Sequence, residues 1–249
     1  MDLGLSGRVA LVTGAAGGIG AAICRTLAAE GCDVALLDRA ADARMDAAAA
    51  AVEGAGRRAL RLEADVAEFQ AAGRAVSATL SALGRLDILV CAAGITRDAI
   101  SWKMGEAQWD EVIAVNLKGC FNFARAATPP LRERGWGRMV MIASINGMRG
   151  KAGQANYAAS KAGLIGLTKT LARELGRSGV TANVVAPGLV STAMTRSLPP
   201  EALQAALAET VAGRAADPQD VADAVAFLCS ERAGHVTGDV LRVDGGQYI

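Results

Sequence analysis

Histidine and aromatic residues are scarce in this chain: one His, and 4% Phe, Trp and Tyr in 249 residues. A metal site built on a histidine cluster is excluded. Any Ser-His-Asp scheme would have to run through His235 alone, which reads as a surface turn residue without a role. The five cysteines, Cys24, Cys32, Cys91, Cys120 and Cys229, are odd in number and lack C-x-x-C spacing. Neither a disulfide framework nor a zinc knuckle is expected of them, and they read as reduced core residues. An excess charge of one sign is missing too, since 26 Lys and Arg balance 25 Asp and Glu. No sequence-wide field attracts a polyanion, so nucleic acid is not an expected partner. No apolar run approaches the roughly 18 residues of a membrane span, and MDLGLSGRVALVTG carries neither a basic n-region nor a small-residue cleavage site. A soluble, cytoplasmic protein without membrane contact or bound metal is expected.

What is present is apolar bulk. Hydrophobic residues make up 52% of the chain, enough to bury a large core in one α/β domain. Short aliphatic runs predict strands over 8–13, 33–37, 58–63, 86–91, 138–143, 181–185 and 240–243. Alanine-rich amphipathic stretches predict helices over 18–30, 42–53, 68–83, 108–133, 156–176, 200–211 and 218–230. Strands alternating with helices imply a parallel sheet, and strands apolar on both faces, such as the run at 9–12, imply helices covering each side. The expected fold is a single doubly wound, three-layer α/β domain with a seven-stranded parallel sheet. Asp217-Pro218 reads as a helix start, and Gly31 and Gly84 as helix stops. No linker or repeat divides the chain. Residues to about 115 are expected to form a nucleotide-binding half, and those from about 116 a catalytic half.

The segment TGAAGGIG at 13–20 follows a predicted strand and opens a predicted helix. Gly14, Gly17, Gly18 and Gly20 stand where the chain must turn tightly and approach a ligand closely, and the free N–H groups of the helix start, with Ile19 among them, suit a pyrophosphate. The spacing is G-x-x-x-G-x-G, a weak signal alone. Asp38, 20 residues beyond Gly18 at the end of the second strand, strengthens it, because a carboxylate there can accept from both adenosine ribose hydroxyls. A 2′-phosphate in contact with Asp38 would meet about 4 kcal/mol of repulsion per charge pair at intermediate dielectric. Arg39 next to it offers only about 0 to 1 kcal/mol as an exposed partner. NAD is therefore the expected cofactor, ahead of NADP.

Ser144 ends the fifth predicted strand, and Tyr157 and Lys161 lie at i and i+4 on one helix face. With two Tyr and five Lys in the chain, this spacing next to a strand-end Ser is a poor candidate for accident. A free phenol, with its pKa near 10, is a weak base at neutral pH. A neighbouring ammonium, together with the positive nicotinamide ring of an oxidised cofactor, favours the phenolate, so Lys161 is expected to lower the pKa of Tyr157.

These residues, together with Asp65-Val66, Asn116, Pro187-Gly188 and VDGG at 243–246, resemble the short-chain dehydrogenase/reductase family over essentially the whole chain. AGITRD, NLKG and GQANYAASKAGLIGLTK are most similar to its 3-oxoacyl-carrier-protein reductase group. The resemblance implies a Rossmann-type fold and hydride transfer between a nicotinamide and a secondary alcohol or ketone. Under it, Tyr157 exchanges the hydroxyl proton, Lys161 also holds the nicotinamide ribose, Ser144 steadies the substrate oxygen, and Asn116 holds a water that relays protons to Lys161. Asp65 and Val66 flank the adenine. Ala92 and Gly94 contribute backbone contacts, and Pro187, Gly188, Val190 and Thr192 carry the nicotinamide carboxamide.

Two departures from the family pattern stand out. The usual Asn-Asn-Ala-Gly is here Cys91-Ala92-Ala93-Gly94, which removes a sheet-bracing Asn at an expected modest cost in stability. The two Arg of the carrier-protein reductases, which the family pairs with NADPH, align with Gly135 and Ser178. Arg134 and Arg177 sit one residue earlier, a turn of about 100 degrees on a helix. The leading expectation is thus an NAD-dependent enzyme interconverting a secondary alcohol and a ketone on a small hydrophobic or aromatic substrate, bound near Asn146, Met148 and Met194. The alternative is a 3-oxoacyl thioester reductase using NADPH. A non-catalytic dinucleotide sensor is disfavoured, because it would not require Ser144, Tyr157 and Lys161. The small apolar face of the helix over 156–176 suggests, by the same resemblance, pairing between subunits of a homotetramer. Trp102, Trp109 and Trp136 suit interface anchors or, as is more usual for scattered single tryptophans, local packing.

Overall fold

Strands form where aliphatic residues run uninterrupted, and helices where alanine-rich stretches follow a glycine turn or an acidic cap. In a computed structural model, which describes residues 2–196 and 200–249 but not the side chains of Met194 and Arg196, the strands are β1 (Val9–Thr13), β2 (Asp33–Asp38), β3 (Ala59–Glu63), β4 (Ile88–Cys91), β5 (Gly137–Ile142), β6 (Val180–Pro187) and β7 (Val240–Val243). The helices are α1 (Gly18–Ala29), α2 (Ala43–Gly54), α3 (Phe69–Leu83), α4 (Glu106–Ile113), α5 (Gly119–Glu133), α6 (Asn146–Arg149), α7 (Ala155–Leu175), α8 (Ala193–Arg196), α9 (Pro200–Ala208) and α10 (Pro218–Cys229). No described helix is long and apolar enough to cross a membrane.

The seven strands form one sheet in the order β3-β2-β1-β4-β5-β6-β7, every neighbouring pair parallel. The winding reverses between β1 and β4, and the strand ends there open the crevice in which such sheets bind ligands. Side chains of β1 alternate between two cores. Ala10 and Val12 join Ile23, Leu27, Leu36 and Val225 under α1, α2 and α10. Val9 and Leu11 join Leu89, Phe123, Met139 and Leu164 under α3, α5 and α7. Burial of each such large side chain is worth roughly 1.5–3 kcal/mol, and sharing them across both faces accounts for the unbroken apolar runs.

Local signals match the helix ends. The Asp42 carboxylate caps α2 through the N–H groups of Arg44 and Met45, at 3.0 and 3.4 Å. Gly84 ends α3 with φ of 84°, and the Asp220 carboxylate accepts the Asp217 N–H at 2.9 Å at the start of α10. Two expectations need correction. The single helix expected over 108–133 is α4, a π turn over Ala114–Lys118 and α5, with the Gly119 N–H reaching back five residues to the Ala114 carbonyl. Among the tryptophans, Trp136 is packed, sandwiched between the guanidinium groups of Arg8 and Arg138, whereas Trp102 is 78% exposed and Trp109 is exposed as well.

Candidate active site

The glycine turn joins β1 to α1 through contacts that only glycine allows. Gly14 adopts φ of 69°, and a Cβ there would lie 2.7 Å from the Ala93 backbone. At Gly20 a Cβ would fall 2.0 Å from the Gly14 carbonyl, so the turn is drawn against the first coil of the helix. Gly17 occupies the N-cap of α1, and no side chain caps that helix. The first-turn N–H groups of Gly18, Ile19 and Gly20 therefore face outward without a side-chain partner, and suit a pyrophosphate. Asp38 ends β2 beside this turn. One carboxylate oxygen accepts the Ala16 N–H at 2.9 Å and the other the Arg39 N–H at 2.8 Å, which leaves each a free lone pair for a ribose hydroxyl.

The remaining predicted nucleotide contacts surround the same crevice. Asp65 turns its own loop by accepting the Ala67 N–H at 2.8 Å. Val66 packs on the start of α5, where a Cβ on Gly119 would lie 2.8 Å from its side chain, and Asn122 holds the Val66 carbonyl at 3.0 Å. Thr13 ties β1 to the segment after β4: its carbonyl accepts the Ala92 N–H at 3.2 Å and its hydroxyl the Ala93 N–H at 3.3 Å. Across the crevice, the Gly188 N–H bonds the Val243 carbonyl at 3.0 Å. The Val190 carbonyl takes the Thr195 hydroxyl at 2.6 Å, and Thr192 reaches the glycine turn, with its methyl 3.2 Å from a Cβ built on Gly18. A crowded glycine cradle, uncapped helix N–H groups and a carboxylate at the adjoining strand end form a donor and acceptor set that fits an adenine dinucleotide.

Ser144 follows β5 and is buried; its hydroxyl accepts the Asn146 N–H at 3.1 Å. Tyr157 lies in the first turn of α7, and Lys161 one turn on, 4% exposed. The Lys161 ammonium donates to the Ile142 carbonyl at 2.8 Å and stands 5.5 Å from the centre of the Tyr157 ring. A Cβ on Gly94 would come within 3.3 Å of it. Burial raises the phenol above its ordinary pKa, with the charge of Asp98 adding to the rise and Ser144 opposing it. Burial also lowers the Lys161 ammonium, and the Cys120 and Cys91 side chains partly offset this. Among the chain's own groups burial sets the direction for Tyr157, with the Lys161 ammonium turned toward a strand-end carbonyl. The expected lowering draws on Lys161 together with the positive ring of an oxidised nicotinamide.

Asn116 sits in the π turn, a distortion frequent at functional sites. Its side chain accepts the Ile95 N–H at 2.8 Å and donates to the Ile95 carbonyl and the Ser160 hydroxyl at 3.0 and 3.1 Å. With both amide protons engaged, the side chain braces the site, and Ser160 passes the brace to the Tyr157 carbonyl at 2.7 Å. Buried Asn156 ties the start of α7 to the carbonyls of Arg97 and Gln108. Neither Ser160 nor Asn156 is flagged by spacing or composition, since each works through a partner distant in sequence. On the substrate side, the Asn146 amide donates to Gln154 Oε1 at 3.0 Å. Met148 is exposed, and the side chain of Met194 lies outside the described residues. Arg134, one residue before the missing cation at 135, is ion-paired with Asp87 at 3.4 Å and does not stand free in its place.

A family model described as enoyl-(acyl carrier protein) reductase matches residues 14–247. The chain is 44% identical to nodulation protein G of Azospirillum brasilense, over 97% of this chain and 98% of that one. It is also 44% identical to an acetoacetyl-CoA reductase of Rhizobium meliloti, over 97% and 99%. Against the 3-oxoacyl-[acyl-carrier-protein] reductase FabG of Escherichia coli the identity is 42%, over 99% and 100%.

Proposed function

Because the chain belongs to the short-chain dehydrogenase/reductase family of oxidoreductases, we propose that it interconverts a 3-oxoacyl thioester and the corresponding 3-hydroxyacyl thioester, with NAD(H) favoured over NADP(H). The substrate class follows the names of the relatives and displaces the small hydrophobic or aromatic alcohol that the sequence alone put first. The observation that carries the chemistry is the convergence of Ser144, Tyr157 and Lys161 at the end of β5, beside the glycine cradle. The Ser144 hydroxyl and the Tyr157 phenol interact with one another, and two neighbouring hydroxyls suit charge developing on a carbonyl oxygen, which favours a ketone over the carbon–carbon double bond in the family model's description.

Bound dihydronicotinamide would supply the hydride. The phenol of Tyr157, kept protonated by burial, delivers a proton to the oxygen that hydride attack makes negative, and Ser144 donates a hydrogen bond to the same oxygen. Lys161, held against Gly94 and the end of β5, would grip the nicotinamide ribose. Asp38 supports the cofactor preference, since both of its oxygens are fixed by backbone N–H groups at the site a 2′-phosphate would have to enter. Arg134 is engaged with Asp87 and position 135 is glycine, which favours a coenzyme A thioester over a carrier-protein one.

The same reading includes a cytoplasmic homotetramer. The tetramer is supported by the exposed Ala162 and Gly166 on α7 and the exposed Phe121 and Trp109, and light scattering that returned a single chain would remove it. Steady-state rates with acetoacetyl-CoA, cyclohexanone and acetophenone, each with NADH and NADPH, test the function. We expect kcat/KM to be highest for acetoacetyl-CoA with NADH. A simple ketone ahead of the thioester would refute the substrate, and equal efficiency with both cofactors would refute the role of Asp38.

A further inference from the structure

Arg149 ends α6, five residues after Ser144, and the chemistry above does not use it. Its guanidinium joins three separate parts of the chain. Nε donates to Asn146 Oδ1 at 3.3 Å, Nη1 to the Gln247 carbonyl at 3.3 Å and Nη2 to Glu209 Oε2 at 2.8 Å. Gln247 completes the junction. Its amide nitrogen donates to Glu209 Oε2 at 3.0 Å and to the Ala206 carbonyl at 3.4 Å, and its amide oxygen accepts the Leu189 N–H at 2.9 Å. The Arg149 side chain is 21% exposed and that of Glu209 49%, so the pair is neither deeply buried nor freely solvated. Hydrogen bonds from Arg149 and Gln247 hold the Glu209 carboxyl below its ordinary range, and it stays ionised at neutral pH.

An arginine can only donate. Its contact therefore fixes Asn146 with Oδ1 toward Arg149 and the amide NH2 toward Gln154. The same guanidinium holds the end of α9 and the C-terminal tail against α6, while Gln247 holds the loop after β6. We propose that Arg149, clasped by Glu209 and Gln247, is a positioning residue that sets Asn146 for the acyl substrate by tying α6 to the end of α9 and the C-terminal tail. This rests on the thioester reading insofar as Asn146 meets the acyl group. Opening the clasp weakens substrate capture and leaves dinucleotide binding and the chemical step nearly as they were.

The test compares Arg149→Met, Glu209→Gln, Arg149→Lys and the exchanged pair Arg149→Glu with Glu209→Arg. An uncharged acetoacetyl thioester is the substrate, so that coenzyme A phosphates do not contribute. Removing charge-assisted hydrogen bonds from a half-exposed pair is expected to raise KM roughly fivefold to thirtyfold, with kcat and the Kd for NADH changing less than about twofold. The exchanged pair should recover at least part of the loss, and Arg149→Lys should fall between, because an ammonium cannot serve three fixed acceptors as the guanidinium fork does. Hydrogen exchange of the amides of residues 201–209, measured without any substrate, should quicken in Arg149→Met and slow again in the exchanged pair. If exchange behaves so but the thioester is not turned over by the unmodified enzyme, the substrate reading fails and the clasp stands. Unchanged KM in a folded Arg149→Met enzyme would overturn the positioning role. So would a fall in kcat matching the rise in KM, or an exchanged pair no better than either single variant. Should Arg149→Met fail to fold, Glu209→Gln decides by the same measurements.

Discussion

Strand β2 begins on Asp33 and ends on Asp38, and the two carboxylates are treated in opposite ways. Asp33 receives the Arg58 backbone N–H at 3.0 Å, the Arg58 guanidinium at 2.8 Å and that of Arg57 at 2.9 Å. Burial alone would raise its pKa, but these bonds and charges prevail and hold it below the ordinary range. Asp38 has two backbone N–H groups and no guanidinium among the described contacts. The contrast extends along the sheet. Beside Asp33, fully buried Asp87 accepts the Val9 N–H and is surrounded by Arg85, Arg134 and Arg8. At the opposite edge Ser144 and Lys161 are buried and Tyr157 is half-buried, all with few partners. A carboxylate whose lone pairs are filled by the chain anchors the fold, and one left with spare capacity is available to a ligand.

The largest expected effect is at the ligand edge. Tyr157→Phe should lower kcat by about a thousandfold, within the range for losing a general acid, while NADH binding and Tm stay close to those of the unmodified protein. Turnover surviving in that variant would dismiss Tyr157 from proton transfer and blur the contrast between the edges. At the anchoring edge, Asp87→Ala should cost about 3 kcal/mol of stability in urea unfolding, because it strips the partner from clustered arginines, yet leave kcat of the folded fraction unchanged. Equal stability, or a selective loss of activity, would show that the two ends of the sheet are not divided in this way. The smallest effect concerns Asp38. Asp38→Ser should move the kcat/KM ratio toward NADPH by roughly tenfold or more, as relief of charge repulsion at the 2′-position requires, with little change in Tm. A cofactor ratio that does not respond would place Asp38 with the anchoring carboxylates.

Legibility in the sequence tracked the range of the interactions. The glycine turn, the Asp217-Pro218 start and the stop at Gly84 are set by neighbouring residues, and they stand where local signals place them. Tyr157 and Lys161 share a helix face because four residues make about one turn. The π turn at Asn116 left no mark, since one additional residue in a turn barely disturbs the hydrophobic period over 108–133. Ser160 and Asn156 were silent for another reason: their partners Asn116, Arg97 and Gln108 lie far away along the chain. The pairing of Arg134 with Asp87 was not legible either, because only the folded sheet brings the two together.

Order along the chain by itself determined the layered α/β architecture, the glycine turn with Asp38 beside it, and the spacing of Ser144, Tyr157 and Lys161, because each depends on periodicity or on residues within a turn or a strand of one another. Tertiary structure decided which charges are spent and which are free, how far burial shifts the phenol and the ammonium, and how Arg149 gathers α6, α9 and the tail. Those properties depend on desolvation and on partners that meet only after the sheet has closed, so no local pattern can carry them.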